Sequence, residues 1–86
     1  MANIQFVNNA WNEYLSWNND KKMQKKINQL IKEISRTPFK GTGKPEPLKD
    51  DGEKRWSRRI NDKDRLVYKF VDGITIIYQC KGHYND

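Results

Sequence analysis

The chain has 86 residues, 35% of them hydrophobic, which bounds it to one small domain, 1–86, with a thin core; its ten aromatics partly compensate, since each large ring buries about 150–250 Å². No run approaches the ~20 apolar residues of a membrane span, no basic-then-apolar leader opens the chain, and a single cysteine makes no internal disulfide, so the cytoplasm is the expected location. Seventeen basic against eleven acidic residues give a net charge of +6 and a pI near 9.6; composition alone slightly favours charges that merely face water, while the cations clustered between Lys54 and Lys69 suit a polyanion such as RNA, DNA or an acidic protein.

In chain order, Asn3 to Val7 alternate polar and apolar residues as a short strand does. Asn8 and Asn9 are suited to cap a helix, in which Ala10, Trp11, Tyr14 and Leu15 share one face. Asn18 to Asp20 interrupt it and can cap a second helix. There Met23, Ile27, Leu30, Ile31 and Ile34 recur at helical spacing, with Lys22, Lys25, Lys26, Gln29, Lys32 and Glu33 on the other side. Thr37-Pro38 ends it, because a residue before proline is pushed out of the helical region.

A Gly- and Pro-rich segment from Phe39 to Lys54 follows. Loops this long in a compact domain are usually functional or disordered, and its prolines favour an ordered one. Three strand-like runs close the chain: Arg55 to Ile60, Arg65 to Val71 and Ile74 to Cys80, with Asn61–Asp64 and Asp72-Gly73 as hairpin turns. Alternation assigns Trp56, Ile60, Leu66, Tyr68, Phe70, Ile74, Ile76, Tyr78 and Cys80 to a face packed on the helices. The other face receives Ser57, Arg59, Arg65, Val67, Lys69, Thr75, Ile77 and Gln79. Arg58 falls among the apolar set and is expected at the sheet margin, its charge reaching solvent. The order β-α-α-β-β-β gives an α+β fold, two N-terminal helices on one face of a small, mostly antiparallel sheet.

The terminal Cys80 to Asp86, "CKGHYND", holds the only histidine and the only cysteine. A zinc site wants three or four ligands, and no spacing supplies them, so no metal and no cofactor are expected; Cys80 reads as a small apolar residue. If the strand stays extended through Gly82, His83 lies on the side of Arg59 and Arg65. An imidazole beside guanidiniums suits a phosphate-bearing substrate, whose oxygens the arginines bind while the histidine moves a proton. Glu46 sits between Pro45 and Pro47, which restrict its backbone, and the nearby Lys44 and Lys49 favour its ionised form. A glutamate, a histidine and an arginine suffice to cleave RNA through its own 2′-hydroxyl.

Several blocks, in order, resemble the YoeB toxins, a branch of the RelE-like toxins of bacterial toxin–antitoxin systems: Arg36 to Lys49 ("RTPFKGTGKPEPLK"), Trp56 to Ile60 ("WSRRI"), Arg65 to Tyr68 ("RLVY") and His83-Tyr84. The likeness runs over essentially the whole chain. It implies a ribosome-dependent mRNA endonuclease that cuts the A-site codon, needs no metal, and is neutralised by a YefM-type antitoxin; homodimers are common in the branch. By the resemblance Glu46 is the general base on the 2′-hydroxyl, His83 the acid that protonates the leaving 5′-oxygen, and Arg65 the charge stabiliser at the scissile phosphate. Tyr84 orients substrate, and Arg59 and Lys49 are supporting cations, with Lys44 beside them. Two features depart from the family pattern: Asn85 and Asp86 follow the His-Tyr pair, and Lys81-Gly82 precede it. A non-catalytic ribosome- or RNA-binding module ranks lower, because Trp56 and Tyr68 fall on the core face away from Arg59 and Arg65. A toxin of the same fold directed at gyrase ranks last, since such toxins lack the catalytic set.

Overall fold

The computed structural model describes residues 3–49 and 52–82. Strand β1 (Asn3–Phe6) leads into helix α1 (Ala10–Ser16), a 3₁₀ turn (Trp17–Asn19) and helix α2 (Lys21–Arg36); then come β2 (Glu46–Pro47), β3 (Trp56–Arg59), β4 (Arg65–Val71) and β5 (Ile74–Gln79). The five strands lie in the order β1-β5-β4-β3-β2. Pairing is antiparallel except between β1 and β5, so the sheet is mixed. The β2 strand is a two-residue addition within the expected loop.

Helix α2 forms for the reasons its sequence gives. Asp20 caps it by accepting from the Met23 amide at 3.1 Å, and Ile27, Leu30, Ile31 and Ile34 are buried. They pack with Trp17, Ile60, Leu66, Tyr68, Ile77 and Cys80 into one core between helices and sheet. Helix α1 contributes less than its pattern implies. Ala10 is buried, but Trp11 and Leu15 are exposed; Trp11 instead stacks on Tyr14 and meets Phe6 edge-on at the surface.

Both hairpin turns close as read. In Asn61–Asp64 the Asn61 carbonyl oxygen of the side chain accepts from the Lys63 and Asp64 amides, a local mimic of a backbone turn. Asp72 and Gly73 both have positive φ, 53° and 78°, the geometry a two-residue hairpin requires. That turn inverts the facing expected for most of β5. Cross-strand partners share a face, and Val71 pairs with Ile74, so Ile74 and Ile76 stand on the face away from the helices, while Thr75 and Ile77 point into the core. A register shift opposite Val67 and Tyr68 inserts Tyr78 as an extra residue. Gln79 thereby pairs with Val67 and Cys80 returns to the core.

Candidate active site

The face away from the helices is built in rows. Glu46 pairs with Ser57, Ser57 with Val67, and Val67 with Gln79; one step along the sheet Arg59 pairs directly with Arg65. Trp56 and Tyr68 belong to the helix side, so by alternation Glu46, Arg59 and Arg65 share the open side. Strand spacings of about 4.8 Å and a rise of about 3.4 Å per residue put the Glu46 and Arg65 backbones on the order of 12 Å apart. Two long side chains can face one bound group across that distance. Glu46, Arg59, Lys44 and Lys49 are exposed, and Arg65 is half-buried. One Arg65 guanidinium nitrogen donates to the Asn61 and Asp64 carbonyls at 2.7 and 3.2 Å, which fixes its direction. Arg55 lies over the Tyr78 ring at 5.1 Å, adding positive charge to the same face.

His83 and Tyr84 lie outside the described residues. The chain that leads to them is held to Arg65 by a series of contacts. The Cys80 amide donates to Glu13 at 2.9 Å and its carbonyl accepts from the Trp17 indole at 2.9 Å. Lys81 reaches Ser16. The Gly82 amide donates to Asp64 at 2.7 Å, and its carbonyl accepts from the Arg65 amide at 3.0 Å and from Gln79 at 3.1 Å. The premise of an extended strand through Gly82 does not hold: β5 ends at Gln79 and Gly82 has φ +91°. A glycine bend and Asp64 bring the chain to Arg65 instead.

Arg58 is not at the sheet margin. It is fully buried, and its guanidinium donates to Glu33 (2.5 Å), the Thr42 carbonyl (3.2 Å), the Thr37 carbonyl (2.6 Å), the Lys40 carbonyl (2.9 Å) and the Tyr68 hydroxyl (3.2 Å). Arginine has five N–H donors, and the five contacts match them. Glu33 in turn accepts from the Thr42 amide and hydroxyl at 2.6 and 3.0 Å, while the Tyr68 hydroxyl donates to the Pro38 carbonyl at 2.5 Å. The loop is therefore ordered by the buried side of β3. It rejoins the sheet where the Arg59 amide donates to the Gly43 carbonyl at 2.7 Å, three residues before Glu46.

These contacts set the local electrostatics. The Thr42 amide, followed by the Arg58 guanidinium, outweighs partial burial and holds the Glu33 carboxyl below its ordinary value. Burial pushes the Tyr68 phenol up against the opposing pull of Arg58. Burial, reinforced by Glu13, pushes the Cys80 thiol up to about 12, as befits a packing residue. Among the described residues no group of three His, Cys, Asp or Glu side chains converges as metal ligands. Sequence reading missed Arg58, Glu33, Asp64 and Glu13 as supports; the one available signal was an arginine in phase with the apolar face of β3.

Two helices under a mixed sheet whose free face carries a carboxylate and a pair of arginines define a small α+β toxin of the RelE-like kind. The YoeB-like toxins of bacterial type II toxin–antitoxin systems match residues 6–84. Toxin YoeB of Streptomyces coelicolor is 51% identical over 82 residues, covering 94% of this chain and 98% of its own. YoeB of Staphylococcus aureus, solved as a YoeB–YefM heterotetramer, superposes with TM-score 0.88 at 46% identity, covering 98% of this chain and 99% of its own. A Staphylococcus aureus YoeB dimer gives 0.88 at 47%, covering 96% and 98%. The chain belongs to the YoeB-like toxin family.

Proposed function

We propose that this toxin is a ribosome-dependent mRNA endonuclease that cuts the A-site codon by metal-independent acid–base attack of the 2′-hydroxyl. The observation that carries the reading is the sharing of one open sheet face by Glu46, Arg59 and Arg65, with the chain ahead of His83 tied to the Arg65 backbone through Gly82. Glu46 takes the 2′-hydroxyl proton; the 2′-oxygen forms a bond to phosphorus; the bond from phosphorus to the 5′-oxygen breaks; and His83 protonates that oxygen. Arg65 and Arg59 bind the phosphate oxygens, whose charge grows in the transition state. Lys44 and Lys49, on the exposed approach to Glu46, hold flanking phosphates, and Tyr84 orients the substrate. The products are a 2′,3′-cyclic phosphate and a 5′-hydroxyl end.

The antitoxin partner is a YefM-type protein, by analogy with the staphylococcal complex, and the free toxin pairs with a second copy as the staphylococcal dimer does. Its place of action is the cytoplasm, where ribosomes work; no described helix is long and apolar enough to cross a membrane. The test is the chemistry of the cut ends. Fragments that polynucleotide kinase labels without prior phosphatase treatment have 5′-hydroxyl ends, as the reading requires; 5′-phosphate ends contradict it.

A further inference from the structure

The loop that carries Glu46 has an anchor that none of the assigned roles includes. From the buried side of β3, Arg58 holds the carbonyls of Thr37, Lys40 and Thr42, and its ion-pair partner Glu33 on α2 holds the Thr42 amide. The two neighbours of Arg58 in β3 face the opposite way: Ser57 pairs with Glu46, and Arg59 binds Gly43 through its amide. One strand therefore fixes the loop from beneath and receives Glu46 and the phosphate-facing arginine above. We infer that Arg58, with Glu33, is a positioning residue for the reaction: it sets the place of Glu46 relative to Arg59 and Arg65 through residues 37–43. The inference rests on the acid–base role proposed for Glu46.

Gly41 offers a way to disturb this clamp without opening the core. It is exposed, its φ is +121°, and a Cβ there would collide with the Glu33 carboxylate and lie 3.5 Å from Arg58 Nη1. A methyl group must therefore displace Glu33 or the loop. Tyr68→Phe is a second, independent disturbance, removing the hydroxyl between Arg58 and the Pro38 carbonyl while keeping the buried ring.

The experiment measures single-turnover cleavage of ribosome-bound mRNA by Gly41→Ala and Tyr68→Phe, each alone and combined with Glu46→Gln, in proteins whose cooperative melting is verified. Misplacing a proton acceptor by about 1 Å costs on the order of 100-fold, so Gly41→Ala should lower the cleavage rate about 10- to 100-fold with KM little changed. In the Glu46→Gln background the same substitution should add less than about 2-fold, because the group it misplaces is gone. Equal losses in both backgrounds, or a wild-type rate in Gly41→Ala, would overturn the inference. Amide exchange tells its failure from that of the Glu46 role. Should Glu46→Gln cleave at the wild-type rate, the Glu46 role fails, and the clamp is then judged on the Leu48 and Arg59 amides, which bond Arg55 and Gly43. Faster exchange there in Gly41→Ala, with Ile77 unchanged, supports the clamp; unchanged exchange at both overturns it.

Discussion

Arg59 and Arg65 are direct cross-strand partners on the open face of the sheet. Like charges placed opposite each other destabilise a sheet by about 0.2–1 kcal/mol, so the pair weakens the free protein and suits one that binds a phosphate. Arg59→Gln should leave stability unchanged or raise it by up to about 1 kcal/mol, while lowering mRNA cleavage on the order of 100-fold. Urea denaturation beside a cleavage assay checks both; lost stability together with retained cleavage would contradict the assignment.

Acid should act through Glu33. Its carboxyl lies below the ordinary value of 4.5 in the folded chain, so the folded state binds this proton less readily than the unfolded state. Its contribution is complete above the ordinary value and is lost as pH falls below it, through the folded value. Glu33→Gln, which leaves the buried Arg58 without its counter-charge, should cost about 1–3 kcal/mol at neutral pH. The gap to wild type should be full above the ordinary carboxylate value and should narrow as pH falls below about 4.5. Urea midpoints of the two proteins across that range give the measurement.

Thr75 is fully buried, and its hydroxyl has no hydrogen-bond partner among the described residues. A buried polar group left unpaired costs about 1–3 kcal/mol. Thr75→Val keeps the shape and removes the cost. We expect a gain on the order of 1 kcal/mol, read as a higher melting temperature with unchanged cleavage.

Cys80 is buried with its thiol pushed up to about 12, so very little thiolate exists at neutral pH. Alkylation of the native protein should be slow and should track global unfolding, accelerating in parallel with urea-induced loss of structure. Rapid labelling in buffer would show that the end of β5 opens locally.

Local signals carried much of the fold. The stripe on α2, the Asp20 cap, the break at Thr37-Pro38 and both hairpin turns depend on near neighbours in sequence and stand where the sequence puts them. The errors arose where position depends on pairing. The facing of Ile74, Thr75, Ile76 and Ile77 reversed because partners across a two-residue turn share a face, a rule that alternation counted straight through the turn ignores. Arg58 looked misplaced because its acceptors come from α2, β4 and three loop carbonyls, which no window around residue 58 contains. At the site, Glu46 stood out through its prolines and Arg65 through its motif. The bend that returns the chain to Arg65 required Asp64, a turn residue whose second role is tertiary.

The most direct test of the proposed cleavage maps 5′ ends by primer extension on an mRNA translated in a reconstituted system, with wild-type protein, Glu46→Gln and His83→Gln. The expected result is a new end inside the A-site codon that requires ribosomes and is lost, or reduced on the order of 100-fold or more, in both variants. Stalled ribosomes on intact mRNA, or the same cut from all three proteins, would contradict it.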